Sequence, residues 1–330
     1  MEVLVTGGAG YIGSHVALGL LDSGYKVTVI DDLSTGNENL IPAKSEFINC
    51  NINDNEKIES LLKAKKFVAL MHFAGFVEVE ESVNYPRKYF ENNTTNSIKL
   101  FDLCLQNGLS NIIFSSTAAI YGNPTHKGLV SETDDIRPIN PYGESKVRTE
   151  YYLQQFDSSK INYVILRYFN VAGADPKMRS GLIKKNPTHL IKIASEAAIE
   201  KRSSIQIFGN DYNTPDGTAI RDYIHVSDLA DIHIKTLQFV LEKKQSEIFN
   251  CGYGKGYSVK DVLNVTNSLC KNRMISILNS PRRPGDAEWV VSDISKLKRM
   301  IDWTPKYNKL DFIIKTAIDW ELKLQNEQIS

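Results

Sequence analysis

Short apolar runs alternate with helix-period segments through the first half of the chain. Glu2-Val3-Leu4-Val5-Thr6 predicts a buried strand, and Tyr11 to Ser23 predicts a helix ended by Gly24. Val27-Thr28-Val29-Ile30 predicts a second strand, closing on Asp31-Asp32. Phe47-Ile48 and Val68-Ala69-Leu70-Met71 predict further core strands, separated by a helix carrying Ile58, Leu61 and Leu62. A helix beginning near Pro86 continues through Ile98 to Leu105 and stops at Gly108. Ile112-Ile113-Phe114 and Tyr163-Val164-Ile165-Leu166 supply two more strands around a helix that contains Tyr142. Strands alternating with helices imply a parallel sheet covered on both faces.

After Asn170 the alternation breaks. Residues 171–221 carry the turn formers Gly173, Pro176, Gly181, Pro187, Pro215 and Gly217 around one helix, Leu190 to Glu200. Asp222 to Val240 predicts a strand entry and a helix returning to the main sheet. Beyond Gly252 the pattern predicts a helix from Val259, a Pro/Arg/Gly segment at Pro281 to Gly285, and two terminal helices. The predicted fold class is α/β, a Rossmann-type doubly wound parallel sheet with a smaller, discontinuous C-terminal substrate-binding lobe. Residues 1–170, with a return segment near 222–250, form the nucleotide domain, and 171–330 are mainly the lobe.

Bulk properties narrow the partners. The 330 residues include 39 basic and 39 acidic side chains, so no net field favours nucleic acid or an anionic membrane. The doublets Lys65-Lys66 and Lys243-Lys244 read as solvated helix ends. Cys50, Cys104, Cys251 and Cys270 lack metal-ligand spacing, and most sit in or beside apolar runs, as buried thiols of a reducing compartment do. The apolar stretch Val3 to Leu21 has no basic flank and is broken by glycines, unlike a leader peptide. The expectation is a soluble, cytoplasmic protein.

The chemistry begins at Thr6-Gly7-Gly8-Ala9-Gly10-Tyr11-Ile12-Gly13. Glycines at 7, 10 and 13 permit a tight turn, close approach to a pyrophosphate and helix-on-strand packing. The bland alternative is an ordinary glycine turn, but the preceding strand and following helix are what a dinucleotide site requires. Asp31 ends the second strand where an acid bonds an adenosine ribose, and Asp31-Asp32 would repel a 2'-phosphate, favouring NAD over NADP. Tyr142 and Lys146, one helical turn apart, present a phenol and an ammonium on one face. A free phenol titrates near ~10, and a neighbouring cation favours the phenolate that accepts an alcohol proton. Tyr-x-x-x-Lys alone arises readily by chance; behind the glycine motif it carries weight. Ser115-Ser116-Thr117 lies beyond a core strand, either as a capped turn or as a hydroxyl relay to Tyr142. Arg221 and Arg283 are candidates for gripping phosphate, although surface arginines usually do nothing specific. Gly252 to Gly256 lacks the Lys-Ser/Thr pair of a phosphate loop. The six histidines show no metal-ligand spacing, so no metal is expected.

Taken together, these segments resemble the extended short-chain dehydrogenase/reductase family, in particular its nucleotide-sugar epimerases. The resemblance runs from Val3 to about residue 320. It includes His72-Phe73-Ala74-Gly75, Pro141-Tyr142-Gly143, Leu166-Arg167-Tyr168-Phe169-Asn170, Gly209-Asn210-Asp211-Tyr212, Arg221-Asp222-Tyr223-Ile224-His225-Val226 and Arg282-Arg283-Pro284-Gly285-Asp286. It implies that NAD is held by Gly7, Gly10, Tyr11, Ile12, Gly13, Asp31 and Ser34. Asn51, Ile52, Phe73, Ala74 and Gly75 would join them, with Asn92, Ser115, Tyr142, Lys146 and Tyr168 completing the site. Tyr142, Lys146 and Thr117 would be catalytic. The UDP moiety of a substrate would meet Asn170, His189, Leu190, Gln206, Phe208, Arg221, Arg283 and Asp286, with Thr117 and Tyr142 at the sugar.

Three positions depart from the family pattern. Asn51-Ile52 replaces an Asp-hydrophobic pair near the adenine, Val77 replaces a lysine, and Val290 stands where glucose-restricted members carry a tyrosine. The small side chain at 290 leaves room for an N-acetyl group. The implied activity is inversion at C4 of a UDP-hexose (UDP-glucose/UDP-galactose, with Val290 extending it to UDP-GlcNAc/UDP-GalNAc) by a homodimer meeting through helices near 86–107 and 141–157. A UDP-glucuronate 4-epimerase or another nucleotide-sugar short-chain dehydrogenase stays open, and so, further off, does a non-catalytic NAD-binding sensor. A 4,6-dehydratase would need an acid-base pair after Thr117, where Ala118-Ala119 stand.

Overall fold

The computed structural model describes residues 1–124, 128–157, 159–270, 274–283 and 285–327. Pro284, inside the predicted Pro281–Gly285 segment, lies outside the described residues. Seven strands form one parallel sheet, in the spatial order Glu247–Cys251, Asn162–Tyr168, Asn111–Thr117, Ala69–His72, Glu2–Thr6, Lys26–Asp31 and Glu46–Asn49. Both faces are covered, because successive side chains of a strand point to opposite sides. Val3 and Val5 join a core with Val16, Leu20, Leu229 and Leu237, from helices Tyr11–Asp22 and Val226–Lys243. Leu4, between them, joins the opposite core with Leu62, Phe101 and Leu153. Gly19 lets the first pair of helices close up: a Cβ there would stand 2.8 Å from Ile234 Cδ1.

Two predicted elements differ from those observed. The helix predicted after Asp222 does return to a face of the main sheet, but the strand that precedes it does not join that sheet. Ile220–His225 instead builds a second sheet with Asn170–Ala172, Gly256–Ser258 and Trp289–Ser292. Helix Val226–Lys243 then packs on helix Tyr11–Asp22, and only Glu247–Cys251 re-enters the main sheet, beside Asn162–Tyr168. That strand escapes the sequence because Asn250 sits in its buried run, satisfied by Tyr121 and the Val130 carbonyl. The long helix near Pro86 is also not uniform. It runs as α over Pro86–Tyr89, as π over Phe90–Asn96 and as α over Ser97–Gln106. π-helical bulges often accompany functional sites, and this one carries Asn92 and Asn93. Lys65, read as a solvated helix end, ties Glu2 at 2.9 Å and also pairs Glu46. Among the described residues, no helix is long and apolar enough to cross a membrane.

Candidate active site

The predicted cofactor residues gather at the carboxyl ends of the parallel strands. Gly7 has φ +72°, and a Cβ there would stand 2.5 Å from Ala74 N, so the glycine turn lies directly on Phe73-Ala74-Gly75. At Gly13 a Cβ would fall 2.2 Å from Gly7 O, which presses the helix start onto the turn. Helix Tyr11–Asp22 has no side-chain cap and no acid in its first turn, so its dipole is left for an anion. Tyr11 donates to Gly173 O at 2.6 Å, and Ile12 packs against the core beneath. Asp31 accepts from Ala9 N at 3.0 Å and Leu33 N at 2.9 Å; burial raises its pKa, and those two N–H groups oppose the rise. Ser34 donates its N–H to Asp32 at 2.9 Å. Asn51 donates its amide to Asp32 and accepts from Asn53 N at 3.1 Å, with Ile52 buried beside it. These cradles fit a dinucleotide: glycine where any Cβ would collide, an unneutralised helix end, and a carboxylate at the second strand end.

The catalytic candidates gather around the carboxyl end of strand Asn111–Thr117 of the same sheet. Asn140 caps helix Pro141–Gln154, accepting from Gly143 N at 2.8 Å, and Pro141 occupies the first turn. Lys146, buried, donates to Ser115 O at 2.9 Å and stands over the Phe114 ring at 4.9 Å. A Cβ on Gly75 would come within 3.4 Å of its Nζ, so Gly75 makes room for the ammonium. Burial lowers Lys146 to about 8, with Glu150 opposing. Thr117 bonds the Tyr142 phenol and also caps the following turn, accepting from Ala119 N at 3.1 Å. Thr117 therefore both caps the turn and touches the Tyr142 phenol.

One electrostatic expectation needs correction. The sequence predicts a phenol depressed by Lys146, yet burial raises Tyr142, and Thr117's hydroxyl is the group that lowers it. Helical spacing puts the ammonium on the right face, but desolvation wins, and the ammonium turns to the Ser115 carbonyl. Tyr168, raised by burial and lowered by Ser115, donates to or accepts from His233 Nε2 at 2.5 Å.

Several supporting residues carried little sequence signal. Asn93 is buried, accepts from Phe76 N at 2.9 Å and donates to Phe76 O and to Ser145, fixing the strip after Gly75. Asn92 donates to it at 3.2 Å. Tyr89 stands edge-on to Tyr142, ring centroids 6.4 Å apart. Behind Ser116, Arg167 and Glu150 form an ion pair at 2.8 Å, 2% and 0% exposed. An asparagine doublet inside a helix was the one legible hint, since asparagine is a poor helix former.

The lobe supplies the other group. Leu190 opens helix Leu190–Ala198 with His189 as its cap residue. Both line one cavity with Asn170, Gly173 and Tyr11, so the cofactor turn and the predicted substrate residues share a space. Arg221 pairs with Asp286 and lies opposite Val290 in the strand register. Arg283 stacks on Phe208 at 3.8 Å, and Gln206, exposed, shares Phe208's strand face. Val290 is buried against a cluster that includes Val147 from the Tyr142 helix.

A dinucleotide cradle and a Tyr/Lys/Thr cluster at the carboxyl ends of one parallel sheet define an oxidoreductase-type nucleotide site. The sequence model of the NAD dependent epimerase/dehydratase family matches residues 3–252. The chain belongs to that family. It is 44% identical to the UDP-glucose 4-epimerase of Azospirillum brasilense, over 98% of this chain and 93% of the relative. Among solved structures, the UDP-glucose-4-epimerase of Stenotrophomonas maltophila, with bound NAD and formylated UDP-arabinopyranose, superposes with a TM-score of 0.94 at 31% identity, over 99% of both chains. The UDP-Glc/GlcNAc 4-epimerase of Campylobacter jejuni gives 0.84 at 41% identity, over 98% of this chain and 99% of that one.

Proposed function

We propose that this chain interconverts C4 epimers of a UDP-hexose through a transient 4-keto sugar. The observation that carries the reading is the meeting of Tyr142 with Thr117, and of Lys146 with Ser115 and Gly75, beside the glycine turn. The glycine turn, Asp31 and the 73–75 strip would hold NAD, which would supply reversible hydride acceptance at the sugar C4.

The residues do the rest. Tyr142, as the phenolate, receives the 4-hydroxyl proton by way of Thr117, whose hydroxyl lowers the phenol's pKa against burial. Lys146 adds positive charge to the same pocket and is oriented by Ser115. Arg221 and Arg283 hold the diphosphate while the ketosugar turns about its phosphate linkage and presents its other face. Tyr142 then returns the proton to the inverted alcohol. Ala118 and Ala119 lie in a 3-10 turn directly after Thr117 and offer no acid or base for dehydration.

Val290, small and opposite Arg221 in the strand register, extends the substrate range to UDP-GlcNAc and UDP-GalNAc in this reading. The active form in this reading is a cytoplasmic homodimer meeting through helical faces around 86–107 and 141–157, the second of which exposes Tyr151. The test is incubation of purified protein with UDP-galactose, UDP-GlcNAc and UDP-glucuronate without added cofactor. Conversion of the first two is expected. Turnover of UDP-galactose with none of the acetylated sugar removes the Val290 assignment, and turnover of UDP-glucuronate alone replaces the hexose reading.

A further inference from the structure

Two loops from opposite halves of the site are tied by charge. The strip that follows Gly75 ends at Glu78, whose backbone N–H donates to Tyr89 OH at 3.0 Å. Tyr89 is fully buried, donates to Glu81 at 2.8 Å and packs its ring against Tyr142. This anchors the strip on the catalytic side. On the other side, Glu78 pairs with Lys184 and accepts from Thr188 Oγ1 at 3.3 Å. Lys184 and Thr188 both belong to the loop that leads into His189 and Leu190, two of the residues assigned to the UDP moiety. The paired side chains, Lys184 and Glu78, are 25% and 28% exposed, so the pair is partly shielded from solvent. Burial also lowers the Lys184 pKa.

The chemistry gives such a tie a purpose. In the oxidation, hydride would pass from the sugar C4 to bound NAD and the hydroxyl proton to Tyr142, leaving a ketone that must reorient before both return. If the ketone leaves first, hydride and proton stay behind and the inversion cannot finish. We propose that Glu78 and Lys184 form a latch that holds the substrate loop against the cofactor strip and keeps the ketosugar enclosed while it turns. They act as positioning residues, and the proposal rests on the epimerase reading above.

The test uses full-length Glu78→Gln, Lys184→Met and the swapped pair Glu78→Lys with Lys184→Glu. The first readout is independent of turnover: backbone amide exchange in residues 76–81 and 182–189. Either single variant should speed exchange in both segments by about fivefold, and the swap should restore it. The second readout is ketone escaping into the filtrate during UDP-galactose turnover, trapped with hydroxylamine and counted per product formed. It should rise by about fivefold in the single variants. Unchanged exchange in both single variants overturns the latch, and so does faster exchange with no added ketone escape. A parent protein that converts no UDP-sugar at all overturns the epimerase reading instead.

Discussion

On the sheet side of the cleft, Gly7, Asp31, Phe73 and Tyr168 each stand at or just beyond the carboxyl end of a parallel strand, and Ser115 stands two residues before one. On the lobe side, Arg221, Phe208, Arg283 and Asp286 come from short strands and a loop, and are steadied by one another: Arg221 on Asp286, Arg283 on Phe208. The first set is placed by backbone hydrogen bonds between strands packed on both faces. The second is placed by pairs of side chains whose members lie 65 and 75 residues apart (286 − 221 and 283 − 208). Strand ends are hard to displace singly. A side-chain pair loses both members when one is removed, so the lobe is the more breakable half and the one where specificity changes most cheaply.

The sharpest way to separate the halves is Tyr142→Phe. Removing the phenol deletes the proton acceptor without disturbing the lobe, so kcat should fall by roughly 10²–10⁴-fold. UDP affinity, measured by calorimetry, should stay within about twofold, since no lobe contact changes. An unaltered kcat would place the base elsewhere. The reciprocal change is Arg221→Met, which strips Asp286 of its partner. UDP should bind roughly 10²-fold more weakly, while the affinity for NAD stays unchanged. Equal losses of both ligands would mean that the two halves are not energetically distinct.

Much of the sheet side was legible in the sequence, because its strands carry short apolar runs between helix-period segments and its glycines have backbone reasons to be there. Gly7 and Gly13 are required by contacts that any Cβ would violate. The lobe was not legible to the same degree. Strands such as Asn170–Ala172 and Gly256–Ser258 are three residues long, and their partner Ile220–His225 lies tens of residues away in the chain. No local period marks them. The candidate site divides in the same way. Tyr142, Lys146 and Thr117 followed from spacing and position, whereas the rise of the Tyr142 pKa comes from burial by distant segments. Glu78, Tyr89 and Asn93 support the site through contacts that only the folded chain creates.

Acid should weaken the protein, chiefly from its sheet side. Burial lowers His15 and His233 to about 4, and His72 and His225 to about 3, from an ordinary 6.5. Between those values and 6.5 the unfolded chain binds protons that the folded chain refuses, so stability rises with pH across that window and is lost on acidification. Each histidine contributes up to about 1.4 kcal/mol per pH unit. Urea midpoints at pH 7 and pH 5.5 measure the slope, and equal midpoints would refute it. Three of the four, His15, His72 and His233, lie on the sheet or its covering helices, so the loss should begin there.

The smallest expected effect is that of Thr117→Val. The hydroxyl lowers the Tyr142 pKa, so its loss should move the acidic limb of kcat/KM to higher pH by about half a unit and lower the plateau by about tenfold. A limb that stays in place would detach Thr117 from the phenol.

The central claim is that one hydride leaves C4 of the sugar and comes back to the same carbon. Converting UDP-galactose deuterated at C4, in ordinary water, tests it directly. The account predicts UDP-glucose that retains the deuterium at C4. Product with hydrogen from solvent at that carbon, or no UDP-glucose at all, would contradict it.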